Sequence, residues 1–363
     1  MMTIDELMQL IDKEIPLNKA ESWDNVGLLI GDKNAEITNI LTTLDCTIEV
    51  VEEALVKGYN TIICHHPLIF SSIKQIENKG YGAVIQLLIK HDMNLIALHT
   101  NLDAHHQGVS AMIADKLQLV NQTILVPNRR SMAKLQLFVP SSHVEQVKAA
   151  LGEAGAGQVG NYSDCFFQVE GKGQFKPDEN ADPYTGQAGK LEVVEEIKLE
   201  CVFDPQLRSQ VEQALIKSHP YEEPAYDVYD FQVEDVFGTG IKAELKHPVQ
   251  IGSWLKEVKS MLNIDSLRLI GSADQEIRTV GIIGGAGMNY MSAVQKTGVD
   301  VFLTGDIKYH EAHDLLMAGL TTVDIQHYSE VVMKDGLKAL LESLGIQVTV
   351  ISSSIDTNPF TLY

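Results

Sequence analysis

Ile62-Ile63-Cys64-His65-His66-Pro67-Leu68-Ile69-Phe70 is the stretch on which the fold turns. Its apolar half reads as a buried strand. Pro67 has no N–H to give to a ladder, so the strand ends about there. Two imidazoles therefore stand side by side at the C-terminal end of a strand. In open α/β sheets that edge is where ligands sit. Neighbouring residues on a strand face opposite ways. For both histidines to serve one site, the backbone must leave regular β geometry at Cys64-His65-His66-Pro67. Cys64 precedes His65 and reads as a buried structural thiol.

Working outward, strands are expected at 37–44, 94–99, 277–283, 299–304, 321–325 and 346–351, with helices between them. Thr3-Ile4-Asp5-Glu6 is a capping box opening a first helix. Strands alternating with helices imply a mainly parallel sheet with right-handed crossovers. The pattern changes after Pro127. From Lys134 to about Phe237 the order is strand, helix, strand, a Gly-rich loop at 171–189, strand, helix, strand. That is the ferredoxin-like order. The expected fold class is α/β: a mainly parallel-sheet, duplicated core at 1–127 and 241–363, split by an inserted ferredoxin-like α+β domain at 128–240.

The 363 residues are 45% hydrophobic and 21% charged, ordinary values for a globular protein. No apolar run is long enough for a membrane span. The N-terminus carries acids where a signal peptide needs bases, so a cytoplasmic protein is expected. Cys46, Cys64, Cys165 and Cys201 are isolated, which argues against a zinc ribbon or a disulfide scaffold. A net charge of −21 works against a phosphate backbone, so nucleic acid is not an expected partner.

Four strands end in coordinating residues: Cys64-His65-His66, His99 to Asp103, Gly305-Asp306 and His327 to Glu330. In one parallel sheet these ends would share an edge. Imidazole and carboxylate suit divalent transition metals, and three histidines with two acids suffice for two ions. His327-x-x-Glu330 at a helix start sends both side chains to one side. Asp45, His99 and Asp306 are candidates for supporting those ligands or moving protons. His105-His106 lies past a strand edge and is a weaker candidate. His219, within His219-Pro220-Tyr221-Glu222-Glu223-Pro224, is either a metal ligand or part of a rigid connector. Trp23-Asp24-Asn25 is either a ligand contact or a capped loop. Gly284-Gly285-Ala286-Gly287 either cradles an anion or makes a tight turn. It lacks the third glycine of a dinucleotide fingerprint.

The chain resembles the Ngg-one-interacting-factor-three-like family, whose members are called GTP cyclohydrolase 1 type 2 homologues. The matching stretches are Ser22-Trp23-Asp24-Asn25-Val26-Gly27-Leu28, His65-His66-Pro67-Leu68-Ile69-Phe70, His99-Thr100-Asn101-Leu102-Asp103-Ala104, Thr304-Gly305-Asp306 and His327-Tyr328-Ser329-Glu330. They fall in both α/β flanks, in family order. The resemblance implies two divalent metal ions, zinc with manganese or iron as alternatives, held by His65, His66, Asp103, His327 and Glu330. It also implies a toroidal homohexamer. The inserted domain is similar to the PII-like insert of the longer bacterial members. The expected activity is metal-dependent hydrolysis of a nucleotide or phosphoester. The alternative is a non-enzymatic regulator or scaffold with structural metal, its insert binding an unidentified small molecule or partner.

Overall fold

A computed structural model describes residues 2–361 of the chain. The strands, in chain order, are β1 (Gly27–Ile30), β2 (Ile40–Thr43), β3 (Thr61–Cys64), β4 (Asn94–Ala97), β5 (Val120–Pro140), β6 (Phe167–Phe175) and β7 (Glu192–Phe203). They continue as β8 (Tyr226–Gln250), β9 (Arg268–Ile270), β10 (Glu276–Ile282), β11 (Val301–Thr304), β12 (Thr322–Asp324) and β13 (Val350–Ser352). The chain forms two compact units. One runs up to Asn128 and resumes at Val236; the other is Arg129–Asp235.

In the first unit, every residue of β2, β3, β4 and β11 is buried. That is why these strands, Asn94 apart, read as apolar or β-branched runs: parallel strands are covered on both faces. The first sheet has the order β1-β4-β3-β2-β13. Its inner pairs are parallel, with Cys64 opposite Ala97 and Thr43 opposite Cys64. β1 closes one side antiparallel to β4. The second sheet repeats the plan: β10, β11 and β12 run parallel, flanked by antiparallel β8 and β9. The mixed α/β class expected from the sequence is the one observed. The coordinating strands, however, do not share one sheet. β3 and β4 belong to the first and β11 and β12 to the second, because each half of the duplicated unit keeps its own sheet. The halves are joined by a continuous core that includes Ile63, Ile96, Leu303, Val323 and Leu337. β13 crosses back to pair with β2, Val350 opposite Ile40.

The last strand is followed by a tightly held segment. Ser353 and Ser354 hydroxyls donate to Glu53, at 2.5 and 2.6 Å, and the Ser354 N–H donates at 2.9 Å. Lys57 Nζ adds an ion pair at 2.8 Å. Burial alone would raise the Glu53 carboxyl, but these donors hold it down at about 2. A carboxylate lower in the folded than in the unfolded state stabilises at neutral pH. That contribution is lost as pH falls from the unfolded value toward the folded one. Glu53→Gln is expected to cost about 1 kcal/mol at pH 7, allowing for solvent screening, and to flatten the loss of stability below pH 4.5. Urea unfolding of both proteins at pH 7 and in acid checks this; equal slopes with pH would refute it.

The second unit has the order strand, helix, strand, strand, helix, strand, with helices Val144–Glu153 and Arg208–Ser218. β6, β7 and β5 are neighbours in antiparallel pairing. Its core includes Leu135, Leu137, Val147, Leu199, Phe203 and Leu215. β5 and β8 are 21 and 25 residues long, far beyond the short apolar runs visible in the sequence. Residues 128–131 are exposed and polar, so hydrophobic alternation fades while the ladder continues. β6 likewise extends through Gly171 and Gly173, into the stretch expected as loop.

Candidate metal centre

β3 stops at Cys64, and the backbone turns where both histidines begin. The His65 N–H is shared between Thr43 O and Leu44 O, both at 3.1 Å, and the His66 N–H donates to Leu44 O at 3.0 Å, so the ladder ends between the two histidines. The chain has left its ladder, so the two rings lie 5.1 Å apart instead of on opposite faces. β4 ends before His99, and the short helix Thr100–Asp103 brings Asp103 round. On the other sheet, β12 is followed by Gln326 at φ +66° and a 3₁₀ helix, His327–Val332. Gln326 is held there by Asp324 Oδ1 on its N–H and by Ser266 on its side chain. In a 3₁₀ helix residues three apart eclipse. His327 Nε2 and Glu330 Oε2 accordingly lie 3.1 Å apart.

Four imidazoles are held from outside through Nδ1. His65 Nδ1 donates to Leu98 O at 2.8 Å and His66 Nδ1 to Asp45 Oδ1 at 2.7 Å. His99 Nδ1 donates to Asp24 Oδ1 at 2.9 Å and His327 Nδ1 to Asp306 Oδ2 at 2.8 Å. An acceptor on Nδ1 places a proton there and directs the ring's other nitrogen inward. The inward nitrogens meet two carboxylates. Glu330 lies 3.9 Å from His65 Nε2 and 3.2 Å from His66 Nε2. Asp103 Oδ1 lies 3.6 Å from His65 Nε2. His66 Nε2 and His327 Nε2 are 3.3 Å apart.

The electrostatics follow from crowding. Burial pushes the His65 imidazole down to about 3. Burial also opposes protonation of His66, but its hydrogen bonds to Asp45 and Glu330 lift it to about 10. The hydrogen bond to Glu330 raises His327 to about 9 against burial. Burial alone would raise Glu330, yet hydrogen bonds from His327 and His66 and the charge of His327 hold it far below the usual range. Burial, then the charge of Glu330, pushes Asp103 well above it. Two carboxylates thus compete for positive charge, and protons on His66 and His327 supply part of it.

These residues fit a metal. His65 Nε2 is fully buried and has no hydrogen-bond partner, a costly state for a polar atom that a cation would relieve. Three groups hold ligand atoms within 4.8 Å of one another: His65, His66 and His99; His66, His327 and Glu330; His65, Asp103 and Glu330. The five residues expected as ligands and the three expected to support them lie in this cluster or directly on it. His99 stands with the inward-facing histidines as well as on Asp24. His105 is buried elsewhere, against His106 at 4.4 Å and Glu14 at 3.6 Å. His219 Nε2 donates to Phe138 O in the other unit.

Within Trp23-Asp24-Asn25, Asp24 anchors His99 and also takes Thr100 N–H and its hydroxyl, at 3.0 and 2.5 Å. Other contributors escaped sequence reasoning. Thr357, beyond the last strand, donates to Asp45 Oδ2 at 2.7 Å and had no signal at all. Gly284-Gly285 lies against the Glu330 carboxylate: a Cβ on Gly285, at φ +59°, would sit 2.5 Å from Glu330 Oε1. They leave room for that carboxylate.

A family model described as Duf34/NIF3 (NGG1p interacting factor 3) matches residues 2–359. The GTP cyclohydrolase 1 type 2 homolog of Staphylococcus aureus strain COL is 46% identical over 363 residues, 99% of each chain. The protein of that name from Staphylococcus epidermidis is 44% identical over the same span. A crystal structure of a Staphylococcus aureus protein superposes with TM-score 0.88 at 42% identity, covering 100% of this chain and 99% of that one. A Bacillus cereus protein related to NIF3 superposes with TM-score 0.75 at 38% identity, with the same coverage. By sequence across nearly its whole length, and by fold, the chain belongs to the Duf34/NIF3 (NGG1p interacting factor 3) family.

Proposed function

We propose that the cluster is a dinuclear centre held by His65, His66, Asp103, His327 and Glu330, and that it serves hydrolysis of a nucleotide or phosphoester. The observation that carries this reading is the set of four imidazoles tied at Nδ1, three of which, His65, His66 and His327, meet Glu330 or Asp103 while His99 stands with His65 and His66. Divalent ions, when bound, supply Lewis acidity and make water more acidic. The chain's own part is to fix the rings through Asp45, Asp24, Asp306 and Leu98 O, and to exclude water around His65. His99 is placed to hold or pass a proton beside the centre. Trp23 and Phe70, exposed and 5.7 Å apart, stand at its edge, with Trp23 6.2 Å from His99. They suit the flat face of a base.

Zinc is the ion we expect, since nitrogen-rich sites with carboxylate favour it, with manganese or iron next. Elemental analysis of the native protein, joined to a panel of nucleotides and phosphoesters, tests the reading. About two ions per chain and metal-dependent turnover are expected; metal-free protein with full turnover would overturn it. Gly285→Ala should lower metal affinity about 10–100-fold by displacing Glu330, as loss of a supporting contact does. Titration with a competing chelator measures that, and unchanged affinity would show that Glu330 can shift freely.

The unit Arg129–Asp235 we read as the PII-like insert, on its element order. For the assembly we propose the homohexamer implied by the resemblance. Exposed Tyr309, Leu316 and Met317 on one helix are apolar surface that an assembly would cover. Mass measurement in solution decides it. Among the described residues no helix is long and apolar enough to cross a membrane.

A further inference from the structure

The unit Arg129–Asp235 contains a half-open cleft of about 880 Å³, within the range that small-molecule sites occupy. Its floor is built by two strands. Residues two apart on a strand share a face, so Gly171 and Gly173 leave one face of β6 bare. A Cβ at Gly173 would collide with the carboxylate of Glu196, which reaches across from β7. Glu196 is only 9% exposed, rare for a carboxylate without a cation. Tyr221 Oη donates to its Oε1 at 2.7 Å. Among the described residues nothing donates to Oε2, and no lysine or arginine pairs with this side chain.

The walls are aromatic. Tyr221 lies 6.2 Å from Phe175 and 6.0 Å from Tyr184. Tyr221 is set in place by His219, which accepts its N–H at Nδ1, at 3.1 Å. His219 is fixed in turn by its bond to Phe138 O, at 2.9 Å. The segment over the cleft is also pinned: Asp182 N–H donates to Glu222 Oε2 at 3.0 Å, and Gly189 N–H to Pro177 O at 2.8 Å. Five carboxylates line the space against three lysines. One of those, Lys198, is already paired with Glu200 at 2.6 Å.

We propose that this cleft binds a small organic cation of the alkylammonium class, with its N–H groups on Glu196 Oε2 and its carbon chain against Tyr221, Phe175 and Tyr184. A buried carboxylate is stabilised by a charged donor. Aromatic faces attract ammonium groups through their quadrupoles. A phosphate group would instead meet the excess of carboxylates. This site uses none of the metal-centre residues and does not depend on the activity proposed above.

The test is calorimetric titration of the full-length protein with spermidine, alongside an uncharged diol of equal length and GTP. Spermidine should bind saturably, and the diol and GTP should not. Glu196→Gln, which keeps the shape and removes the charge, should weaken spermidine binding about 30-fold or more. Glu196→Asp serves if that variant fails to fold, and should weaken binding through lost reach. His65→Ala should leave spermidine binding unchanged, which separates this site from the metal centre. Equal binding of spermidine to Glu196→Gln, equal binding of the diol, or binding of GTP in place of spermidine would overturn the proposal. So would the absence of spermidine binding.

Discussion

Glu330→Gln is expected to empty the proposed metal centre and abolish any metal-dependent turnover. No other carboxylate reaches as many ring nitrogens: His66 and His327 at 3.2 and 3.1 Å through Oε2, and His65 at 3.9 Å through Oε1. It belongs to two of the three groups able to hold an ion. The amide keeps the volume but removes the negative charge, and its NH₂ end would face the Nε2–H groups of His66 and His327 donor to donor. Loss of an outer supporting residue costs metal affinity about 10–100-fold, so loss of this shared carboxylate should cost more than about 100-fold. Asp306→Asn is the graded control, since it weakens only the hold on His327 Nδ1 and should fall within that range. Metal content after dialysis against a chelator gives the answer. Native metal content in Glu330→Gln would dismiss the centre as assigned.

Asp24→Ala should be among the most destabilising substitutions near the site, by about 3 kcal/mol or more. The Asp24 side chain is completely covered. It accepts from His99 Nδ1, Thr100 N–H and Thr100 Oγ, joining the loop before β1 to the end of β4. Burial by itself would raise this carboxyl, yet its bonds to His99 and Thr100 keep it far below the usual carboxylate range. Removing it leaves a buried amide and an imidazole unpaired. Asp24→Asn retains one acceptor oxygen and should lose about half as much. Urea unfolding of metal-free protein isolates this effect from metal binding. A loss below about 1 kcal/mol for the alanine variant would mean that water replaces the carboxylate without cost.

Strand existence was legible wherever strands are buried on both faces. The runs at β2, β3, β4 and β11 are dominated by apolar and β-branched residues because both faces are covered. Legibility failed where pairing outlasts burial. The exposed stretch at 128–131 and the glycines of β6 carry no alternation, yet they continue ladders. The family was also legible, from five short motifs. The imidazoles and acids of the cluster could be picked out because each directly follows a strand. Some of their partners, Asp45 and Asp306, could be picked out as well, but others could not: Thr357 and Leu98 O have no chemical signature in sequence, and Gly285 acts only by lacking a Cβ beside Glu330.

His65-His66, the strand before them and the proline after them were determined locally, by apolar patterning and a missing N–H. So were the α/β class and the capping of the first helix, where Thr3 and Glu6 satisfy each other's backbone. What only the tertiary structure decided is that the site lies between two sheets rather than along one. Each sheet brings two of the four coordinating strands, and β13 ties the end of the chain back onto β2. Local rules act over a few residues, whereas the approach of His66 to His327 spans 261 positions and depends on how the two halves share one core. The direction of each imidazole was decided the same way, by an acceptor on Nδ1 that in all four cases comes from a different segment.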